Sequence, residues 1–209
     1  MPQSDEDASA LRAAPSTPDE RLLVERMRAG DDRAFDEVYA LYRDRIYGFL
    51  LRLSGHRDVA DDLFQETFLK LARHAGALRP ESDLKAWLFT VARNQYLSHR
   101  RWAALDFSRL VTLGDETNYA NAEPLPDTLV EGARRMRLVE QALARLSPKS
   151  REALLLVGVE GFDQERAAAV VGVTYMAFRQ RLSRARAELE RAVENEAASA
   201  PGGARSTLE

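Results

Sequence analysis

Residues 164–186 read QERAAAVVGVTYMAFRQRLSRAR, and how they break decides the fold. A short helix over Gln164 to Val171 meets Gly172, where glycine allows the positive φ of a tight inter-helix turn. A long helix follows from about Thr174, a plausible N-cap. Ala167, Val170 and Val171 then face Val173, Phe178, Leu182, Ala185 and Leu189. Two helices closed in this way form a helix-turn-helix, whose second member enters the major groove of DNA. Residues 174–191 hold five arginines, with the only two acids, Glu188 and Glu190, at the far end. Arg179, Gln180, Ser183 and Arg184 lie away from the apolar stripe, and arginine and glutamine pair two-handed with guanine and adenine edges. Arg181 and Arg186 fit a phosphate-gripping or supporting role. The competing account is a solvated helix laced by Arg184–Glu188 and Arg186–Glu190 pairs.

Outward from this motif, helical periodicity spans about 134–194, with Ser147-Pro148 giving an N-cap and a proline at the first helical position. Residues 103–133 lose the pattern among Gly114, Asn118, Asn121, Pro124 and Pro126, the composition of an inter-domain linker. From about 20 to 102 helical spacing returns. Leu22, Leu23 and Met27 lead to a break at Gly30-Asp31-Asp32. Phe35, Val38, Tyr39, Tyr42, Ile46, Phe49, Leu50 and Leu53 then form one long stripe ended by Ser54-Gly55-His56. A third helix is expected over about 58–73, then a loop at 76–80, then a fourth helix capped by Ser82 or Asp83. Residues 1–19 and 195–209 read as flexible tails. The expectation is an all-α chain of two small helical domains, 20–102 and 134–194, on a flexible linker.

Composition narrows the function classes. The 209 residues are 45% apolar and 30% charged, with a net charge of −3, so DNA contact must come from local basic patches rather than bulk charge. There is no cysteine, and the three histidines (His56, His74, His99) form no ligand pair. Neither a P-loop, a nucleophile elbow nor a paired-carboxylate site is present, so no catalytic residue, metal, cofactor or small-molecule substrate is expected. The acidic start lacks an apolar h-region and no run suits a membrane span, so the chain is expected in the cytoplasm without membrane insertion.

Two further stretches carry chemistry. DVADDLFQETFLKLARH (58–74) sets Asp58, Asp61, Asp62 and Glu66 around Leu63, Phe64 and Phe68. Acids at a helix N-terminus suit the macrodipole, which accounts for Asp58 and Asp61 but leaves the adjacent Phe64 and Gln65 unexplained. SDLKAWLFTVARNQYLSHRRW (82–102) interleaves Trp87, Phe89, Tyr96 and Trp102 with Lys85, Arg93, Arg100 and Arg101. Rings that stack on bases beside cations that hold phosphates suit single-stranded nucleic acid. Core burial is the plainer reading for Trp87 and Leu88.

The order D-x-A-D-D-L-x-Q-E-x-F, A-W-L-F-x-V-A-R-N, then L-S-P-K-S-R-E-A-L and R-Q-R-L-S-R-A-R resembles the extracytoplasmic-function (ECF) sigma factors of bacterial RNA polymerase, over about residues 20–194. The resemblance implies sigma regions 2 and 4 and a non-catalytic role in promoter recognition and melting. It implies docking on the clamp coiled coil of the largest polymerase subunit through Asp58, Asp61, Asp62, Leu63, Gln65, Glu66 and Phe68, with further contact to the flap region. It implies minus-ten binding and melting by Leu78, Arg79, Ser82, Lys85, Trp87, Phe89, Arg93, Asn94, Tyr96, Arg100 and Arg101. The minus-thirty-five box falls to Thr174, Tyr175, Arg179, Gln180, Arg181, Ser183 and Arg184. The linker acids Asp106, Asp115, Glu116, Glu123 and Asp127 would mimic nucleic acid in the polymerase channels. An anti-sigma factor wedged between the two domains is the expected restraint. Departures bear on which promoter is read: Met176-Ala177-Phe178 replaces the usual Gly-Thr-Val, Ala167 replaces isoleucine, and Ser98 replaces aspartate. A one-component helix-turn-helix regulator is the alternative, and it leaves the 58–68 and 82–101 blocks without a purpose.

Overall fold

The computed structural model describes residues 18–107 and 130–199. It is helical throughout, with no strand among the described residues. Helix α1 spans Pro18–Arg28, α2 Asp32–Ser54, α3 Arg57–His74 and α4 Leu84–Phe107. In the second half α5 spans Val130–Arg145, α6 Pro148–Leu154, α7 Gln164–Val171 and α8 Tyr175–Ser199. Between α3 and α4 lies a short 3-10 turn at Ala75–Ala77, and a π-type turn at Leu155–Val159 extends α6. No described helix is long and apolar enough to cross a membrane. The linker acids Asp115, Glu116, Glu123 and Asp127 and most of both tails lie outside the described residues; α4 and α5 take up the ends of the expected linker.

Local chemistry sets the boundaries. Asp31 caps α2 by accepting from the Arg33 amide, and Gly55 closes it at φ 79°. The stripe Ala34, Val38, Tyr42, Ile46, Phe49, Leu50 and Leu53 is buried. It meets Leu63, Phe68 and Leu71 of α3 and Leu84, Leu88, Phe89 and Ala92 of α4 in one cluster. Of the two cap candidates for α4, the buried Asp83 is the one used: its Oδ1 accepts from the Ala86 amide at 2.9 Å.

The two halves are not held apart; the buried cluster runs through both. Their contact is built on one inserted ring and several ions. After the π-type turn, Gly161 takes φ 67° and turns the chain so that Phe162 points inward. The Phe162 ring lies edge-on to Phe89 of α4 at 5.3 Å, and Phe89 in turn meets Phe49 at 5.2 Å. Aromatic pairs of this geometry stabilise beyond their buried area.

Arg151 is the second staple. Only 6% exposed, it meets no carboxylate among the described residues and is satisfied by carbonyls instead. Its Nε donates to Leu143 O at 2.9 Å, its Nη1 to Arg52 O and Leu53 O at 3.1 and 3.3 Å, and its Nη2 to Leu146 O at 3.2 Å and to Ala144 O. These are the orphan carbonyls of the last turns of α2 and α5, where helix dipoles favour a cation. One guanidinium therefore closes two helices from opposite halves. Arg151→Met keeps much of the stem volume but removes every donor. Unfolding free energy from denaturant titration is expected to fall by about 3 kcal/mol. An unchanged midpoint would refute this assignment.

Candidate nucleic-acid and polymerase interfaces

The turn between α7 and α8 is fixed by the chain itself. Asp163 caps α7 by accepting from the Arg166 amide at 2.8 Å. Gly172 sits at φ 70°, its amide bonding to Ala169 O and the Val173 amide to Ala168 O, each at 3.1 Å. That paired closure is a Schellman motif, which needs a left-handed residue at its centre. Thr174 Oγ1 accepts from the Ala177 amide at 3.3 Å and starts α8. Ala167 and Phe178 are both fully buried, so the small-for-large exchange seen in the sequence is accommodated within one core.

This scaffold aims α8. Phe178, Leu182 and Ala185 face inward, whereas Thr174, Tyr175, Arg179, Gln180, Ser183 and Arg184 are exposed. No ion pair links Arg184 to Glu188 or Arg186 to Glu190 among the described residues. The solvated-ladder account of this helix therefore lacks its pairs. Arg181 differs from its neighbours: it is half-buried, with Nη1 3.6 Å from Glu152 of α6.

On α3, Asp58, Asp61, Asp62, Gln65 and Glu66 are exposed and form an acidic ridge. Leu63 and Phe68 lie inside the core, 6% and 5% exposed, so they anchor the ridge and do not offer surface. Phe64 is partly buried against Tyr39, Tyr47 and Phe68, which resolves how Phe64 and Gln65 stand side by side: one packs and the other projects. Burial first, then the nearby Asp61 carboxylate, pushes the Tyr47 phenol above its ordinary range.

The minus-ten candidates divide three ways. Arg79, Arg100 and Arg101 are exposed, and Ser82, Trp87 and Asn94 are half-buried. Leu78, Phe89 and Tyr96 are buried, at 6%, 0% and 6% exposure, so Phe89 and Tyr96 present no free ring face for a base in this arrangement. Burial pushes the Tyr96 phenol up. Lys85 in the first turn of α4 and Arg93 two turns further on are covered by the second half. Lys85 Nζ lies 4.1 Å from the Phe162 ring centroid and donates to Glu160 O at 2.5 Å. Arg93 Nε meets Glu152 at 2.6 Å.

The covering groups were not legible as site residues in the sequence. Glu152 and Glu160 are 4% and 5% exposed. Glu160 pairs with Arg45 of α2 at 3.0 Å, and its carbonyl also accepts from Arg45. Asp83 Oδ2 takes Arg166 of α7 at 2.7 Å while its other oxygen caps α4. Arg166 also lies over the Phe162 ring at 5.3 Å. Burial pushes both glutamates above the usual carboxylate range, against the lowering effect of Arg93 on Glu152 and of Arg45 on Glu160. Lys85 is held below its ordinary value, by burial first and then by Arg45 and Arg166. The available signal was two acids bounding the apolar run EALLLVGVEGF (152–162), Glu152 beside Arg151 and Glu160 with no cation within five residues. Acids buried in that way demand distant cations. Glu152 thus occupies Arg93 and Arg181 with a carboxylate, where nucleic acid would present a phosphate.

Comparison with known proteins identifies relatives of both halves. Residues 38–104 match the family described as Sigma-70 region 2, and residues 136–189 match Sigma-70, region 4. The chain is 35% identical over 164 residues to the RNA polymerase sigma factor CarQ of Myxococcus xanthus, covering 77% of this chain and 90% of that protein. It is 35% identical over 142 residues to the ECF RNA polymerase sigma factor EcfG of Rhodopseudomonas palustris, covering 68% and 75%. Among solved structures, RpoE of Bartonella quintana in complex with the anti-sigma factor NepR aligns with TM-score 0.60 and 29% identity, over 77% of this chain and 96% of that one. CnrH in complex with the cytosolic domain of CnrY shares the fold, at TM-score 0.62 and 24% identity over 84% and 97%.

Proposed function

The chain belongs to the sigma-70 family, among its ECF sigma factors, and from that membership we propose how its residues divide the work. It directs core RNA polymerase to specific promoters and aids their melting; the bond-making chemistry belongs to the polymerase, and the chain itself is not an enzyme. The observation that carries the division of labour is that one chain displays both an exposed acidic ridge, on α3, and on α8 an exposed face whose Arg179 and Arg184 have no ion pair among the described residues. Asp58, Asp61, Asp62, Gln65 and Glu66 meet a basic coiled coil of the polymerase, where complementary charge steers encounter and fixes register. Arg179, Gln180, Ser183 and Arg184 read the upstream box as duplex, and Thr174 and Tyr175 border it. Arg79, Ser82, Trp87, Asn94, Arg100 and Arg101, joined by Lys85 and Arg93, take the minus-ten strand and the extruded base, whose unstacking costs a few kcal/mol. The work is done in the cytoplasm, where polymerase and promoter are.

The packed arrangement is the resting form. Lys85 and Arg93 are covered by Phe162, Glu160 and Glu152, so the halves part before a strand reaches them. An anti-sigma partner, such as NepR is for RpoE in that complex, then holds the chain by embracing the packed form. A wedge between the halves would first have to displace Phe162. The one-component regulator reading gives the region 2 match at 38–104 no role.

The test is retention by core polymerase followed by run-off transcription on genomic fragments, with and without Arg184→Ala. Wild-type holoenzyme initiates at a discrete promoter set. The variant loses about 1–3 kcal/mol of upstream recognition, the worth of one bidentate base contact, on fully duplex promoters. On templates already opened at minus-ten, where melting is supplied, it loses less. Equal loss on both templates counts against the role of Arg184, and failure to bind polymerase counts against the whole reading.

A further inference from the structure

We propose that Met176 is a specificity-determining residue that reads a thymine methyl group in the major groove of the upstream promoter box. The inference rests on the recognition-helix reading of α8 and deepens it by naming one base. Met176 is 67% exposed in the first turn of α8. Its turn is fixed by the Thr174 cap, and the opposite face of the helix is sealed by Phe178, Leu182 and Ala185 at 0–2% exposure. The side chain therefore cannot turn into the core, whose places are filled. With Ala177 it borders one shallow concavity whose other walls are Arg179, Gln180, Ser183 and Arg184.

An apolar side chain ringed by arginines implies an occupant that is both strongly anionic and locally apolar. Duplex DNA meets both conditions, and in its major groove thymine alone presents an apolar group, the C5 methyl. Every polar residue of the concavity has a donor or acceptor to offer a base edge, and Met176 has only an unbranched, polarisable thioether stem that adapts to a small apolar target. Position fixes what lies beside it. Met176 and Gln180 are four residues apart on one helix face, about 5–6 Å between Cβ atoms. Successive base pairs are spaced about 3.4 Å. A thymine under Met176 therefore lies within about two base pairs of whatever Gln180 holds, and glutamine pairs two-handed with adenine. An A/T-containing segment is expected next to the bases taken by Arg179 and Arg184.

The experiment uses full-length chain assembled with core polymerase. Bound upstream boxes are selected from a randomised duplex library, and each thymine of the selected box is replaced in turn by deoxyuridine, which removes the methyl and nothing else. At one position the wild-type holoenzyme is expected to bind the uracil duplex about three- to fivefold more weakly, the worth of one buried methyl. Met176→Ala is expected to bind thymine and uracil equally at that position, while Met176→Leu keeps part of the preference. Both variants are expected to keep the fold because the position is exposed, and circular dichroism checks it. A selected box without a methyl-sensitive thymine, or a thymine preference that survives in Met176→Ala, overturns the proposal while leaving the recognition helix standing. Failure to select any upstream box overturns the recognition-helix reading and this proposal with it.

Discussion

Asp61→Lys combined with Asp62→Lys is expected to abolish capture of the chain by core RNA polymerase while the fold persists. Both carboxylates are exposed on α3, and the anchors beneath them, Leu63, Phe68 and Leu71, are untouched. Reversal replaces attraction by repulsion at the surface proposed to meet a basic partner. A loss of roughly 3 kcal/mol or more, over a hundredfold in dissociation constant, is the expected scale. The Asp61 carboxylate also acts on the Tyr47 phenol, so a small change in Tyr47 environment is expected, without unfolding. Gel filtration or surface capture with purified core reads the loss, and duplex binding by α7 and α8 serves as the internal control. Retained polymerase binding removes the acidic ridge from the docking surface.

Arg45→Glu is expected to open the packed form. Arg45 belongs to none of the surfaces assigned to polymerase or promoter, and it is the partner of a glutamate that is itself buried. Replacing it sets two carboxylates face to face, with Lys85 left as the nearest cation. Breaking one partner of a buried pair costs about 3–5 kcal/mol, discounted here to about 2–3 because the Arg45 side chain is 40% exposed. A shift of that size moves the ratio of packed to parted chain by about 30- to 160-fold. Two readouts follow: a larger radius of gyration in solution scattering, and tighter binding of the free chain to a single-stranded minus-ten oligonucleotide. The second is counterintuitive, because the substitution makes the chain more acidic and simple charge arithmetic predicts weaker DNA binding. Weaker binding with unchanged scattering would show that Lys85 and Arg93 were never masked.

The helices, their caps and the helix-turn-helix were legible because each is written in local chemistry. Ser147, Asp83 and Thr174 sit where a side-chain oxygen can reach an orphan amide, and Gly55 and Gly172 sit where the backbone turns left-handed. Exposure of Arg179, Gln180, Ser183 and Arg184 followed from helical spacing relative to Phe178 and Leu182. Exposure of Asp58, Asp61 and Asp62 followed in the same way from Leu63. Spacing served less well on α4. There the helix is apolar nearly all round because two bodies pack on it, and rings read as base-stacking platforms, Phe89 above all, proved to be core.

What the sequence determined alone was what acts within one or two turns of helix: the caps, the glycine turns, the inward and outward faces, and hence the exposed arginines of α8 and the exposed acids of α3. What only tertiary structure decided was which distant charges meet. Glu152 with Arg93, Glu160 with Arg45 and Asp83 with Arg166 are separated by 59, 115 and 83 residues, and Arg151 reaches carbonyls 98 and 99 residues away. A side chain's hydrogen-bonding capacity is local, but the identity of its partner is set by how whole helices pack, and no periodicity along the chain encodes that.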